Sequence, residues 1–128
     1  MNIHWIPVLT MTIFSFVLGA LWHQPFLFGK TWMKENNLSN PKETLNLPVI
    51  FGTTGFVHFV ALCGLNVLIS DAGYFTGLVA GLIISVVFIL PAFTSTYLFA
   101  GKSFSLLLID SGFYIILFAL SGLVFGIW

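Results

Sequence analysis

Three observations predict an all-α, polytopic membrane protein built as a bundle of four transmembrane helices: the apolar-to-charged balance, the length of the uncharged runs, and the placement of tryptophan and tyrosine at their ends. Of 128 residues, 59% are hydrophobic and 6% charged, more apolar surface than a soluble domain of this size can hide. A helix that crosses the bilayer core needs about 20 mainly apolar residues at about 1.5 Å rise each. Four such helices use up most of the chain, which reads as a single membrane domain, 1–128. The longest run without Asp, Glu, Lys or Arg covers residues 72–101; its length, rather than its periodicity, separates it from an ordinary buried helix.

The same counts exclude other classes. Four Lys, no Arg and a formal net charge of zero give neither a basic field for nucleic acid nor a polybasic cluster for anionic lipid. Cys63 is the single cysteine, so no disulfide can form within the chain.

The first span is placed at residues 3–22. It lacks a basic segment before it and a small-residue cleavage pattern after it, so it reads as a retained helix rather than a signal peptide. Residues 23–47 form the one long connector, an interfacial segment that carries Lys30, Lys34, Lys42, Glu35 and Glu43. Within it, Asn40-Pro41-Lys42-Glu43 has the form of a helix start, with an Asn cap, Pro at the first helical position and Glu three residues on. The remaining spans are placed at 48–69, 73–100 and 104–128, joined by Ser70-Asp71-Ala72 and Gly101-Lys102-Ser103. Trp5, Trp22 and Trp128 fall at span ends, Trp32 in the connector, and Tyr74 and Tyr97 near the two ends of the third span, where interfacial aromatics belong. Lys30, Lys34, Lys42 and Lys102 all fall on one side, which predicts that both termini face outward.

In lipid, helices associate through close backbone approach at small residues. Gly73, Gly77, Gly81 and Ser85 recur every four residues on the third span, and Gly122 and Gly126 form a similar patch at similar depth on the fourth. These two helices are expected to touch there; a contact between copies of the chain is the competing use of the same stripe.

Polar groups at membrane depth are the candidates for function, because a charge at a helix centre costs about 2.5–3.5 kcal/mol on insertion scales. His58 lies ten residues into the second span and Asp110 six residues into the fourth, depths of about 15 Å and 9 Å at helical rise. That offset is within reach of a leaning His–Asp pair or of one bridging water. Ser15, Thr94, Ser95 and Thr96 fall in the same half, and Tyr114 and Ser121 share a helix face with Asp110. Pro91 removes a donor for the carbonyl of Val87, so a kink is expected there. The plainer use of these groups is structural: a buried pair fixes helix register, and Ser and Thr bond their own helix backbone. His4, His23 and His58 lie at three different depths and do not make a metal or haem site. Gly29-Lys30-Thr31 and Gly101-Lys102-Ser103 resemble the end of a phosphate-binding loop but lack its earlier Gly, and no hydrolase or zinc motif is present.

The stretch Gly19-Ala20-Leu21-Trp22-His23-Gln24-Pro25-Phe26-Leu27-Phe28-Gly29-Lys30-Thr31-Trp32-Met33 resembles the signature of a family of short, mainly bacterial membrane proteins, the domain-of-unknown-function family 1761. Ile109-Asp110-Ser111-Gly112-Phe113-Tyr114 and the closing Gly126-Ile127-Trp128 extend the resemblance over nearly the whole chain. It implies a four-helix protein of a bacterial inner membrane and brings no substrate or reaction with it. The chain departs from the family pattern at His23, where an aromatic residue is typical, and at Asp110, where Asn is frequent; an Asn there argues against an obligatory proton relay. In the signature itself, Trp22, His23, Pro25, Gly29, Lys30 and Trp32 read as a surface-lying or re-entrant segment, with a plain membrane anchor as the simpler use.

Two functions compete at this point. One is a small non-enzymatic membrane protein, a homo-oligomer or accessory subunit, that handles a small molecule or ion at the inner polar cluster. The other is a membrane enzyme or redox component acting on a lipid-soluble substrate through His58 and Asp110 as an acid/base pair. The expected partners are the bilayer and further copies of the chain; no cofactor, metal or catalytic residue is assigned.

Overall fold

The computed structural model describes residues 2–38 and 45–128, and among these it is helical and without strands. Helix α1 spans Trp5–Trp22, α2 Gly29–Glu35, α3 Leu47–Ile69, α4 Tyr74–Ile84, α5 Leu90–Phe99 and α6 Phe104–Ile127. A π-helical turn, Ser85–Ile89, joins α4 to α5, so that Tyr74–Phe99 forms one unbroken span. With α1, α3 and α6, it makes four helices long and apolar enough to cross a membrane. The protein is an integral membrane protein, and its exposed apolar residues, among them Ile6, Phe56, Leu68 and Phe88, face the lipid on all sides.

Local chemistry sets the helix boundaries. Asn46 caps α3 by accepting from the Val49 amide, with Pro48 in the first turn; the Asn40–Glu43 helix start lies outside the described residues. Ser103 caps α6 by accepting from the Leu106 amide at 3.2 Å. Gly101 ends α5 at φ +68°, while the Lys102 amide donates back to the Tyr97 carbonyl and the Gly101 amide to the Leu98 carbonyl. That is the Schellman closure. Asn37 ends α2 in the same way at φ +56°, with the Leu38 amide donating to Met33 and the Asn37 amide to Lys34.

Pro91 does disturb its helix, though by an insertion. With no N–H for the Val87 carbonyl and a ring that crowds the preceding turn, the chain widens to i→i+5 bonding, and the Leu90 amide donates to the Ser85 carbonyl. One extra residue is absorbed while the helix continues.

The core is organised around α6, half of whose span is buried, against 22% or less for the other three. Its closest partner is α4, and the two run antiparallel. Gly77 lies against the backbone of Gly122 and Gly126, and Gly81 against the backbone of Phe118 and Ala119, so near that a Cβ on either glycine would overlap a carbonyl of α6. The Gly73 amide donates to the Gly126 carbonyl at 2.9 Å. Beyond the π turn this intimacy ends: α5 buries none of its residues and meets α6 sparsely. The α4 half of the third span packs backbone to backbone on α6, and the α5 half meets α6 through side chains. Val8, Met11, Leu62, Leu65, Ile69, Phe113, Leu117, Phe118 and Phe125 form the apolar centre.

Candidate functional site: a polar network at the lysine-bearing end

Toward the ends that carry Lys30, Lys34 and Lys102, polar side chains from five of the helices, α1, α2, α3, α5 and α6, converge. The chain reverses sharply after α1. The Phe28 amide donates to the Trp22 carbonyl, and the Gly29 amide to the Gln24 carbonyl. Buried Gly29 sits so near the His23 carbonyl that a side chain there would overlap it, which explains a glycine at the start of a helix. This turn lays α2 against α6, and both indoles of the segment acquire protein partners. Trp22 Nε1 donates to the Ile109 carbonyl at 2.9 Å, and Trp32 Nε1 donates to Asp110 Oδ1 at 3.1 Å. His23 is exposed, donates from Nδ1 to the Gly19 carbonyl and packs edge-on to Trp32 at 5.2 Å. Pro25 and Lys30 are exposed.

The other oxygen of Asp110, Oδ2, accepts from the Tyr97 hydroxyl. Asp110 is thus held by two neutral donors, one from α2 and one from α5. Lys102 Nζ sits 4.9 Å from the centre of the Tyr97 ring, a cation–π position set by the Schellman closure in which the Lys102 amide donates to the Tyr97 carbonyl.

One turn along α6, Tyr114 belongs to a second chain of bonds. Ser15 spends its single O–H on the Thr12 carbonyl at 2.6 Å, so the 2.9 Å contact between His58 Nδ1 and Ser15 Oγ requires the imidazole to donate. In the neutral ring Nε2 is then an acceptor, and it takes the Tyr114 hydroxyl at 3.1 Å. The donors run in one direction, Tyr114 to His58 to Ser15 to a backbone carbonyl of α1. His58 is 5% exposed and Ser15 1%, and the imidazole lies 5.9 Å from the Phe113 ring.

His58 and Asp110 therefore do not pair; each has other partners, and the link between them is Tyr114, which shares a face of α6 with Asp110 at i, i+4 spacing. The Phe93 ring fills the space between the two chains, 5.4 Å from Tyr97 and 5.5 Å from Tyr114. Of the sequence candidates, Ser15, His58, Asp110 and Tyr114 come together. Thr94 and Ser95 do not join them: Thr94 Oγ1 donates to the Leu90 carbonyl, and exposed Ser95 donates to the Ala92 carbonyl. Ser85 is fully buried but bonds its own helix, at Gly81 and Leu82. Trp32 and Tyr97, read from the sequence as interfacial anchors, are direct partners of Asp110; the short connection between α5 and α6 was the available signal for Tyr97. A shallow hollow of about 200 Å³ lined by Ala92, Phe93, Thr96 and Tyr97 lies on α5 beside this pair. Among the described residues, no three His, Cys, Asp or Glu come together in a way that could hold a metal ion.

The model of one protein family, described as a protein of unknown function (DUF1761), matches residues 6–126, a stretch that contains every member of the network. No curated protein and no solved structure matches the chain.

Proposed function

The chain belongs to the DUF1761 family of proteins of unknown function, and from that premise we propose that it is a non-enzymatic protein of a bacterial inner membrane that binds one small cation, a proton or a monovalent metal ion, at Asp110. Both termini face outward in this reading, and the ion enters from the lysine-bearing, cytoplasmic side. One observation carries the proposal: a carboxyl group inside a membrane span whose hydrogen-bond partners are the neutral groups of Trp32 and Tyr97. An ionised carboxyl offers about four acceptor positions, and these two donors leave some of them open. They give the carboxylate no ion-pair partner, Lys102 being placed over the Tyr97 ring, and a charge inside a span costs up to about 2.5–3.5 kcal/mol at the helix centre on insertion scales. A cation offsets that cost.

The Tyr114–His58–Ser15 chain supports the same reading by holding Tyr114 in place beside the carboxyl. The alternative is a membrane enzyme or redox component acting on a lipid-soluble substrate with His58 and Asp110 as an acid/base pair; the bonds of His58 to Ser15 and Tyr114, and of Asp110 to Trp32 and Tyr97, support the binding reading over it. In this reading the protein works as a homo-oligomer or as an accessory subunit.

Thermal unfolding in nanodiscs tests the ion site. At fixed pH, increasing Na⁺ or K⁺ is expected to raise the unfolding midpoint of the wild type by mass action, equivalent to about 2.7 kcal/mol at 100 times Kd. Asp110→Asn is expected to remove the response while still folding. A midpoint that ignores both ions would eliminate the metal-ion form of the proposal, and an identical response in Asp110→Asn would place the site elsewhere.

A further inference from the structure

The opposite end of the bundle holds a separate polar cluster. The His4 backbone N–H donates to Asn66 Oδ1 at 2.9 Å, tying the entry of α1 to the last turn of α3. Asn66 is completely buried. Ser70 lies one turn further along, with its amide donating to the Asn66 carbonyl. The Asn66 amide nitrogen Nδ2, His4 Nδ1 and Ser70 Oγ are all buried and have no hydrogen-bond partner among the described residues.

A buried polar group left unpaired costs about 1–3 kcal/mol, and these three belong to neighbouring residues, His4 bonded to the Asn66 side chain and Ser70 one turn from it, so each calls for a partner. The chemistry of the three groups defines that occupant. Asn66 Nδ2 can donate but not accept, whereas the imidazole nitrogen and the hydroxyl can each accept. A molecule that accepts once and donates twice satisfies all three, and water does so with its ordinary complement of about three bonds. The apolar residues Ile3, Leu65 and Ile69 belong to the packing at this end and disfavour a larger guest. Asn66 is three residues from the end of α3, about 4.5 Å at helical rise, so the site lies within reach of the membrane surface. Along α3, fully buried Leu62 of the apolar centre lies between Asn66 and His58.

We propose that the ends of α1 and α3 enclose a binding site for an ordered water molecule, held by Asn66, His4 and Ser70. The water completes the clasp that joins the two helices, and it gives the bundle a second hydrated end independent of the ion site.

Water-edited solid-state NMR on the full chain in nanodiscs, with ¹⁵N-labelled asparagine, tests this. The Asn66 side-chain signal is identified by its loss in the conservative variant Asn66→Gln. Transfer from water to that amide is expected to be at least twofold stronger than transfer to the backbone amide of Leu62, observed in a ¹⁵N-leucine sample. It should also weaken at least twofold in Ser70→Ala, which keeps Asn66 but removes one anchor. Transfer no stronger than at Leu62 would overturn the proposal, and so would transfer unchanged in Ser70→Ala.

Discussion

Gly77→Leu is expected to prevent the bundle from folding into a stable, monodisperse species, and Gly81→Leu to do the same. Overpacking an ordinary core costs about 1–3 kcal/mol because side chains can move aside. Here the obstacle is backbone: a Cβ at Gly77 would overlap the Gly122 carbonyl, and one at Gly81 the Phe118 carbonyl. Helices α4 and α6 would have to separate along their whole contact, with loss of the Gly73–Gly126 hydrogen bond. In lipid there is no hydrophobic effect to pull them back together. Leu82→Ala is the control, since Leu82 is 37% exposed and faces away from that seam. Thermal unfolding and size-exclusion profiles in detergent measure both; equal losses for Gly77→Leu and Leu82→Ala would remove the glycine contact from the account.

His58→Ala is expected to lower stability by about 2–5 kcal/mol, the range for emptying a large buried side chain. Hydrogen bonds between membrane helices average about 0.6 kcal/mol and reach about 1.7, so most of the loss comes from the cavity beside Phe113 and Tyr114. His58→Leu fills that cavity and is expected to cost less than half as much. The remainder belongs to the Tyr114 hydroxyl, which loses its acceptor. In a double-mutant cycle with Tyr114→Phe, the combined loss should therefore fall short of the sum, with coupling of about 0.5–1.5 kcal/mol. Strict additivity would mean that the 3.1 Å contact between His58 and Tyr114 contributes nothing to folding.

How much of this was legible in the sequence follows from what sequence encodes. Span number and type were readable because run length and charge placement are linear properties: the uncharged run at residues 72–101 could only be one long helix. Spacing at four residues marked Gly73, Gly77 and Gly81 as one smooth face of the third span. Partner choice was not readable. The axial depths of His58 and Asp110 follow from counting at 1.5 Å per residue, but which way each side chain points depends on the rotation of one helix against another, which residue spacing does not set. Tertiary packing turned His58 toward Ser15 and Tyr114, and turned Asp110 toward Trp32 and Tyr97. The partners of the indoles were hidden for a related reason: a tryptophan near a span end satisfies an interfacial pattern whether its N–H meets water or a carboxyl. Pro91 announced a disturbance but not its form, because a missing N–H can be answered by a kink or by the wider turn seen at Ser85–Ile89. Both depend on what packs around it.

The central claim is that Asp110 is an exchangeable ion site rather than a fixed helix clasp. Infrared difference spectroscopy of the protein in nanodiscs, recorded across a pH titration and again across a Na⁺ or K⁺ titration, observes that carboxyl directly. The account predicts a carboxyl band that changes reversibly with the ion, disappears in Asp110→Asn and shifts in Tyr97→Phe, where one of its two donors is gone. A spectrum in which no band assignable to Asp110 responds to protons or to either cation would contradict it, and would leave Asp110, Trp32 and Tyr97 as a structural tie between α2, α5 and α6.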